Sequence, residues 1–149
     1  MTAYPALSAA FAENSIRVGA VALDRENAIE MAGELLVASG RSTPEYTESM
    51  IDAVVENGPY IVIAPGIALA HGRPSEAVIE IGLSLVTLAE PVIFGNEAND
   101  PVRLVIGLCA TDHSSHIDIM AELAAFLGDG DSVNSVLNAV NSDQIRLLF

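Results

Sequence analysis

From Tyr60 to Pro74 the chain reads YIVIAPGIALAHGRP, an apolar run that delivers His71 out of a strand-like segment onto a Gly72-Arg73-Pro74 turn. A short strand stopped by glycine and proline holds its last side chain at a fixed edge, where an imidazole meets solvent or a partner on rigid backbone. Arg73 follows two residues on, in a chain whose 6 Lys and Arg face 20 Asp and Glu. Imidazole is the side chain that gains, loses or carries a group near neutral pH, as a base, a metal ligand or a covalent nucleophile. His71 is therefore the most informative residue of the sequence.

The 149 residues suit one domain, 1–149, with a real core. The richest apolar segment, Tyr60 to Ala70, is interrupted by Pro65 and Gly66 and falls well short of the roughly 18 to 20 unbroken apolar residues that a membrane span needs. The opening MTAYPALSAAFAEN lacks the basic start and cleavage pattern of a signal peptide. A cytoplasmic protein without direct membrane insertion is expected. A formal net charge of −14 repels phosphate backbones and anionic lipid, which argues against nucleic-acid binding. Cys109, in the run VRLVIGLCA, reads as a buried small hydrophobe rather than a reactive thiolate. With 1 Cys no intrachain disulfide forms, in keeping with a reducing compartment.

Ile16 to Val21 alternates as a half-buried strand does. From Asn27 the apolar spacing turns helical, with Asp24 as a candidate cap and Gly40 as the stop. Thr43-Pro44-Glu45 opens a second helix, combining a cap, a first-turn proline and an acid beside the positive helix end. That helix carries Tyr46, Met50, Val54 and Val55 and stops at Gly58-Pro59. Three strand signals follow: Tyr60 to Ala64 continuing to Ala70, Val78 to Leu88, and Val102 to Ala110. In the second, Ile79, Ile81, Leu83 and Leu85 alternate with Glu80, Gly82 and Ser84, which predicts one core face and one partly polar face. Gly95 to Pro101 is a polar loop. Thr111-Asp112 is placed to cap a helix through Ile117, Met120, Leu123 and Leu127, and Ser132 begins a last helix. The class is α/β, a mixed β-sheet flanked by α-helices in a single domain.

The histidines, His71, His113 and His116, fall at the ends of elements. Sites in α/β sheets form at strand ends and the adjoining helix N-termini, whose free N–H groups attract anions. If the strands ending near Ala70 and Ala110 are neighbours, His71 and His116 meet over one crevice. A helix N-terminus favours the neutral, hydrogen-bond-donating form of a nearby imidazole, which suits His116 to support a phosphoryl group on His71. The plainer reading makes His113 and His116 solvated first-turn residues. A zinc shared by all three histidines and an Asp is a rival, but the spacing matches no HExxH or cysteine-based metal pattern. Neither a glycine-rich nucleotide loop nor a GxSxG elbow is present. Arg73 is either a solvated turn residue or a bidentate clamp for phosphate oxygens.

The segments GPYIVIAPGIALAHGRP, EIGLSLVTLAEPVIFGNEANDPV and ATDHSSHIDIMAEL resemble the EIIA component of the bacterial sugar phosphotransferase system (PTS). The branch is the fructose-mannitol type (EIIA type-2), and the ascorbate-specific group is the most similar. The resemblance implies a mixed sheet flanked by helices and a phosphotransferase component that needs no cofactor and no metal. It implies that His71 accepts phosphate from the histidine phosphocarrier protein, HPr, and passes it to a cysteine of the EIIB component, serving the membrane EIIC component indirectly. His116 corresponds to the histidine that assists the phosphorylated state, and Arg73 belongs to the HGRP sequence of ascorbate-type members. Ala70 stands where the family usually has proline, and Val54-Val55-Glu56 lacks the arginine that mannitol-type members carry upstream. The alternatives are a regulatory EIIA-like phosphoprotein and a non-enzymatic binding or scaffold domain.

Overall fold

The computed structural model describes residues 3–112 and 116–149. In it β1 (Ile16–Ala20), β2 (Val62–Ala64), β3 (Ile67–His71), β4 (Gly82–Val92) and β5 (Val102–Cys109) form one sheet in the spatial order β1-β4-β5-β3-β2. β1 lies parallel to β4 and β3 parallel to β5, whereas β4 and β5, like β2 and β3, are antiparallel. The expected mixed sheet is therefore present.

Strand periodicity assigns the side chains of this sheet to two cores. Val105 and Cys109 of β5 join Ile29 and Leu36 of α2 (Arg25–Ala38) and Met50 and Val54 of α3 (Pro44–Asn57) in one core. Leu104, Ile106 and Leu108 join the other, with Leu7 of α1 (Pro5–Ala10), Leu123 of α4 (Ile117–Leu127), Val136 of α5 (Gly130–Asn138) and Ile145 of α6 (Ser142–Arg146). The sheet is the middle layer of three. Helices α1 and α6 were not legible in the sequence. Both are short, and Arg146 of α6 ties them together by donating to the carbonyls of Phe11 and Ala12.

Three sequence expectations change. The segment from Tyr60 to Ala70 is an antiparallel hairpin rather than one strand, because Gly66 adopts a φ of +76° and turns the chain between β2 and β3. The strand expected from Val78 begins at Gly82; Ile79 is 59% exposed, and Val78 makes only an isolated bridge to Ser42. Nor does β4 keep a polar face: Ser84 is fully buried and its hydroxyl donates to the Ala32 carbonyl of α2 at 2.8 Å, so helices cover both sides.

The helix signals hold with local differences. Asp24 caps α2, its Oδ1 accepting from the Asn27 N–H at 2.8 Å. Thr43 occupies the N-cap of α3 but makes no side-chain cap bond; its hydroxyl donates to the Ala77 carbonyl at 3.3 Å. The residue at the N-cap of α4 is His116, four positions after the expected Asp112. His113 lies outside the described residues.

Candidate functional site

His71 is the last residue of β3 and pairs in register with Leu108 of β5. Parallel neighbours end on the same edge of a sheet, so the chain leaving β3 and the chain leaving β5 open onto one rim. At that rim lies a cavity of about 380 Å³ whose lining includes His71, Arg73, Tyr46, Tyr60, Asp112 and His116. The crevice expected from the sequence thus exists, and it brings His71, Arg73 and His116 together.

Two contacts fix the His71 ring. Its Nδ1 lies 2.8 Å from the Leu69 carbonyl oxygen. A carbonyl only accepts, so in the neutral imidazole this bond assigns the proton to Nδ1 and leaves Nε2 with its lone pair. The Tyr60 ring meets the imidazole edge-on, with centroids 5.6 Å apart and planes at 88°. One ring nitrogen is committed to the scaffold, and the other has no hydrogen-bond partner among the described residues.

His116 is partly buried at the start of α4, and its carbonyl accepts from the Met120 N–H at 2.9 Å. Its Nδ1 is buried and has no hydrogen-bond partner among the described residues, an arrangement that folded proteins rarely leave without a reason. Arg73 is exposed and also borders a neighbouring hollow that contains Asp52 and Glu56 of α3. Among the described residues Arg73 has no ion-pair partner; the pair found there is Arg41 with Glu80, at 3.1 Å. No group of three His, Cys, Asp or Glu residues is placed to hold a metal among the described residues. The three-histidine zinc arrangement would need His113, which is outside them.

Cys109 lies in the core beneath the rim, fully buried, its Sγ 3.5 Å from the Glu80 carbonyl and 3.7 Å from that of Arg41. Burial pushes the thiol pKa up to about 11, which disfavours the thiolate that nucleophilic chemistry requires.

Tyr46 is the residue that the sequence reading missed, since its position on the apolar face of α3 marks it only as core. Its ring is buried, but its hydroxyl donates to the Leu108 carbonyl at 2.6 Å and accepts from the Gly72 N–H at 2.9 Å. Burial raises its pKa to about 12. The available signal was a phenol among aliphatic neighbours, because a buried hydroxyl needs partners. Which groups it bridges becomes legible only once β3 and β5 are seen to end side by side.

Comparison with known proteins adds to this geometry. The family described as "Phosphoenolpyruvate-dependent sugar phosphotransferase system, EIIA 2" matches residues 9–149. The ascorbate-specific PTS system EIIA component of Salmonella choleraesuis (strain SC-B67) is 40% identical over 133 residues, covering 89% of this chain and 81% of the relative. In three dimensions the chain is similar to the mannitol-specific cryptic phosphotransferase enzyme IIA of Escherichia coli, with a TM-score of 0.85, 32% identity and coverage of 95% of this chain and 96% of the other. It is also similar to a mannitol enzyme IIA of Escherichia coli solved in complex with phosphorylated mannitol enzyme IIB. There the TM-score is 0.78 at 30% identity, with coverage of 91% and 94%.

Proposed function

The chain belongs to the EIIA 2 family of the phosphoenolpyruvate-dependent sugar phosphotransferase system, and from that premise we propose that it is a cytoplasmic phosphocarrier. In this reading residues 1–149 act as one EIIA domain that takes a phosphoryl group from HPr on His71 and delivers it to a cysteine of an EIIB component. The observation that carries the reading is the hydrogen bond from His71 Nδ1 to the Leu69 carbonyl at 2.8 Å, which leaves Nε2 as the nucleophile at a cavity shared with Arg73 and His116.

The transfer balances without a separate acid or base. The Nε2 lone pair of His71 attacks the phosphorus of the donor phosphohistidine, a P–N bond forms, and the donor P–N bond breaks with its electron pair returning to the donor imidazole. His71 keeps its Nδ1 proton, so its phosphorylated ring is cationic and the Leu69 carbonyl stabilises it through a charge-assisted hydrogen bond. Discharge reverses the sequence: a partner thiolate attacks phosphorus, and Nε2 leaves with the bonding pair as a neutral imidazole. Such in-line transfer depends on positioning and charge stabilisation, with little covalent chemistry left for the protein. Arg73 supplies a cation beside the phosphoryl oxygens in a chain of net charge −14, and His116 supplies a second polar contact. No sugar site is required, because the sugar never meets this component.

The identity of 40% to an ascorbate-specific relative supports ascorbate uptake as the branch served, through EIIB and indirectly a membrane EIIC. The test is to load the protein with phosphate and present EIIB from an ascorbate-type and from a mannitol-type system. Faster discharge onto the ascorbate-type EIIB cysteine is expected; the reverse preference assigns the protein to another sugar branch.

A further inference from the structure

We propose that Tyr46 is the positioning residue of the site: its buried hydroxyl bridges the backbone where β3 and β5 part, and thereby holds His71 in the tautomer that leaves Nε2 reactive. The last registered pair of the parallel ladder is His71 with Leu108. Beyond it the strands separate, and their separation opens the cavity. At that point the Gly72 N–H and the Leu108 carbonyl would be left without ladder partners. The Tyr46 hydroxyl fills the gap, accepting from Gly72 at 2.9 Å and donating to Leu108 at 2.6 Å. A side chain from the core of α3 thus extends the ladder by one step.

The consequence for His71 follows from its short hydrogen bond. The Nδ1 contact to Leu69 reaches back only two residues, so it depends on the backbone angles at Ala70 and His71. The β3 ladder fixes those angles on one side and the Gly72 anchor fixes them on the other. With Gly72 released, the end of the strand relaxes and the ring loses its carbonyl acceptor. The Nε2–H tautomer then becomes populated, and in that form the nitrogen that faces reaction has no lone pair to offer. Tyr46 need not touch the phosphoryl group to control its transfer, much as the outer partner of a metal-bound histidine sets which nitrogen is available.

This inference rests on His71 as the phosphoacceptor, but its first readout needs no phosphoryl donor. Imidazole nitrogen NMR of the unphosphorylated protein is expected to show His71 as the Nδ1–H tautomer. Tyr46→Phe, which removes one oxygen and keeps the ring, is expected to populate the Nε2–H tautomer and to slow phosphoryl uptake from phospho-HPr by about tenfold or more. Ile29→Val, a change in the core between α2 and the sheet, is expected to alter neither. The wild-type Gly72 amide should also be protected from hydrogen exchange, a measurement that holds whether or not the Phe variant folds.

A wild-type tautomer and rate retained in Tyr46→Phe would overturn the proposal, as would slowed uptake with an unchanged tautomer or a Gly72 amide exchanging as freely as an open loop. A protein that shows the tautomer and its loss but never takes phosphate would instead overturn the phosphocarrier reading and leave the positioning role of Tyr46 in place.

Discussion

A histidine that is to carry a phosphoryl group, as proposed for His71, has to present one nitrogen while the other is held, and at His71 the holding contact is backbone: Nδ1 is bound to Leu69, two residues back. The second imidazole has a different part. His116 sits at the N-cap of α4 and lines the same cavity, and in the proposed function it contacts the phosphoryl group on His71 rather than accepting one. His116→Ala is expected to leave labelling at His71 but to slow transfer by a factor of order 10². His116→Gln, which retains a donor, is expected to keep more activity; wild-type rates in both variants would reduce His116 to a helix-start residue. Cys109→Ser is expected to leave uptake intact and to lower stability by about 1 kcal/mol, because a smaller, more strongly hydrated hydroxyl replaces the thiol in a fully buried position, a cost that the Glu80 and Arg41 carbonyls beside it offset only in part. Denaturant unfolding and a phosphoryl-uptake assay on the same sample check both halves. His71 and Arg73 were legible in the sequence because Gly72 and Pro74 punctuate the strand locally. Tyr46 was not, because its partners, Gly72 and Leu108, are 26 and 62 residues away.

At the scale of elements, the site depends on α3 lying close enough to the sheet for Tyr46 to reach across the ends of β3 and β5. Helix α2 sets that closeness. A Cβ at Gly33 of α2 would collide with the Thr47 side chain of α3, so the absence of a side chain permits the approach. Gly33→Ala is expected to cost about 1 to 3 kcal/mol through overpacking, measurable as a lowered denaturation midpoint. A stabilised or unchanged Ala variant would mean that the two helices separate without penalty. The segment after His71 is also held: the Thr43 N–H donates to the Ala77 carbonyl at 2.8 Å and the Ile79 N–H to the Arg41 carbonyl at 2.8 Å. These tertiary bonds explain why Val78 to Ile81 is not part of β4 despite its alternating pattern. The pattern marks which residues are apolar, but the anchors at Arg41 and Thr43 decide the path. The hairpin at Gly66 was obscured in a similar way, since the apolar run continues on both sides of a turn that only the left-handed glycine reveals.

For the molecule as a whole, two buried acids set a limit at high pH. Burial raises Cys109 from 9.0 to about 11 and Tyr46 from 10.0 to about 12. The unfolded chain sheds these protons at the ordinary values while the folded chain retains them, so between the two values the folded state binds more protons and stability falls as pH rises. Stability is expected to hold up to about pH 9 and then to decline, and Cys109→Ser is expected to remove the first part of the decline and leave the part above pH 10. Denaturant titrations on either side of 9.0 check the sign; a flat profile would contradict it. No helix among the described residues is long and apolar enough to cross a membrane, and the charge of −14 makes Arg73 at the cavity rim stand out against an acidic surface. In the proposed function one nitrogen of one residue, His71 Nε2, carries the phosphoryl group. Incubating the protein with phosphoenolpyruvate, the general phosphotransferase enzyme and HPr, then locating the label by phosphorus and nitrogen NMR, checks this. One phosphoryl group per chain is expected on His71 Nε2 and none in a folded His71→Ala variant; a label on another residue, or full labelling of that variant, would show that the phosphoryl group is carried elsewhere.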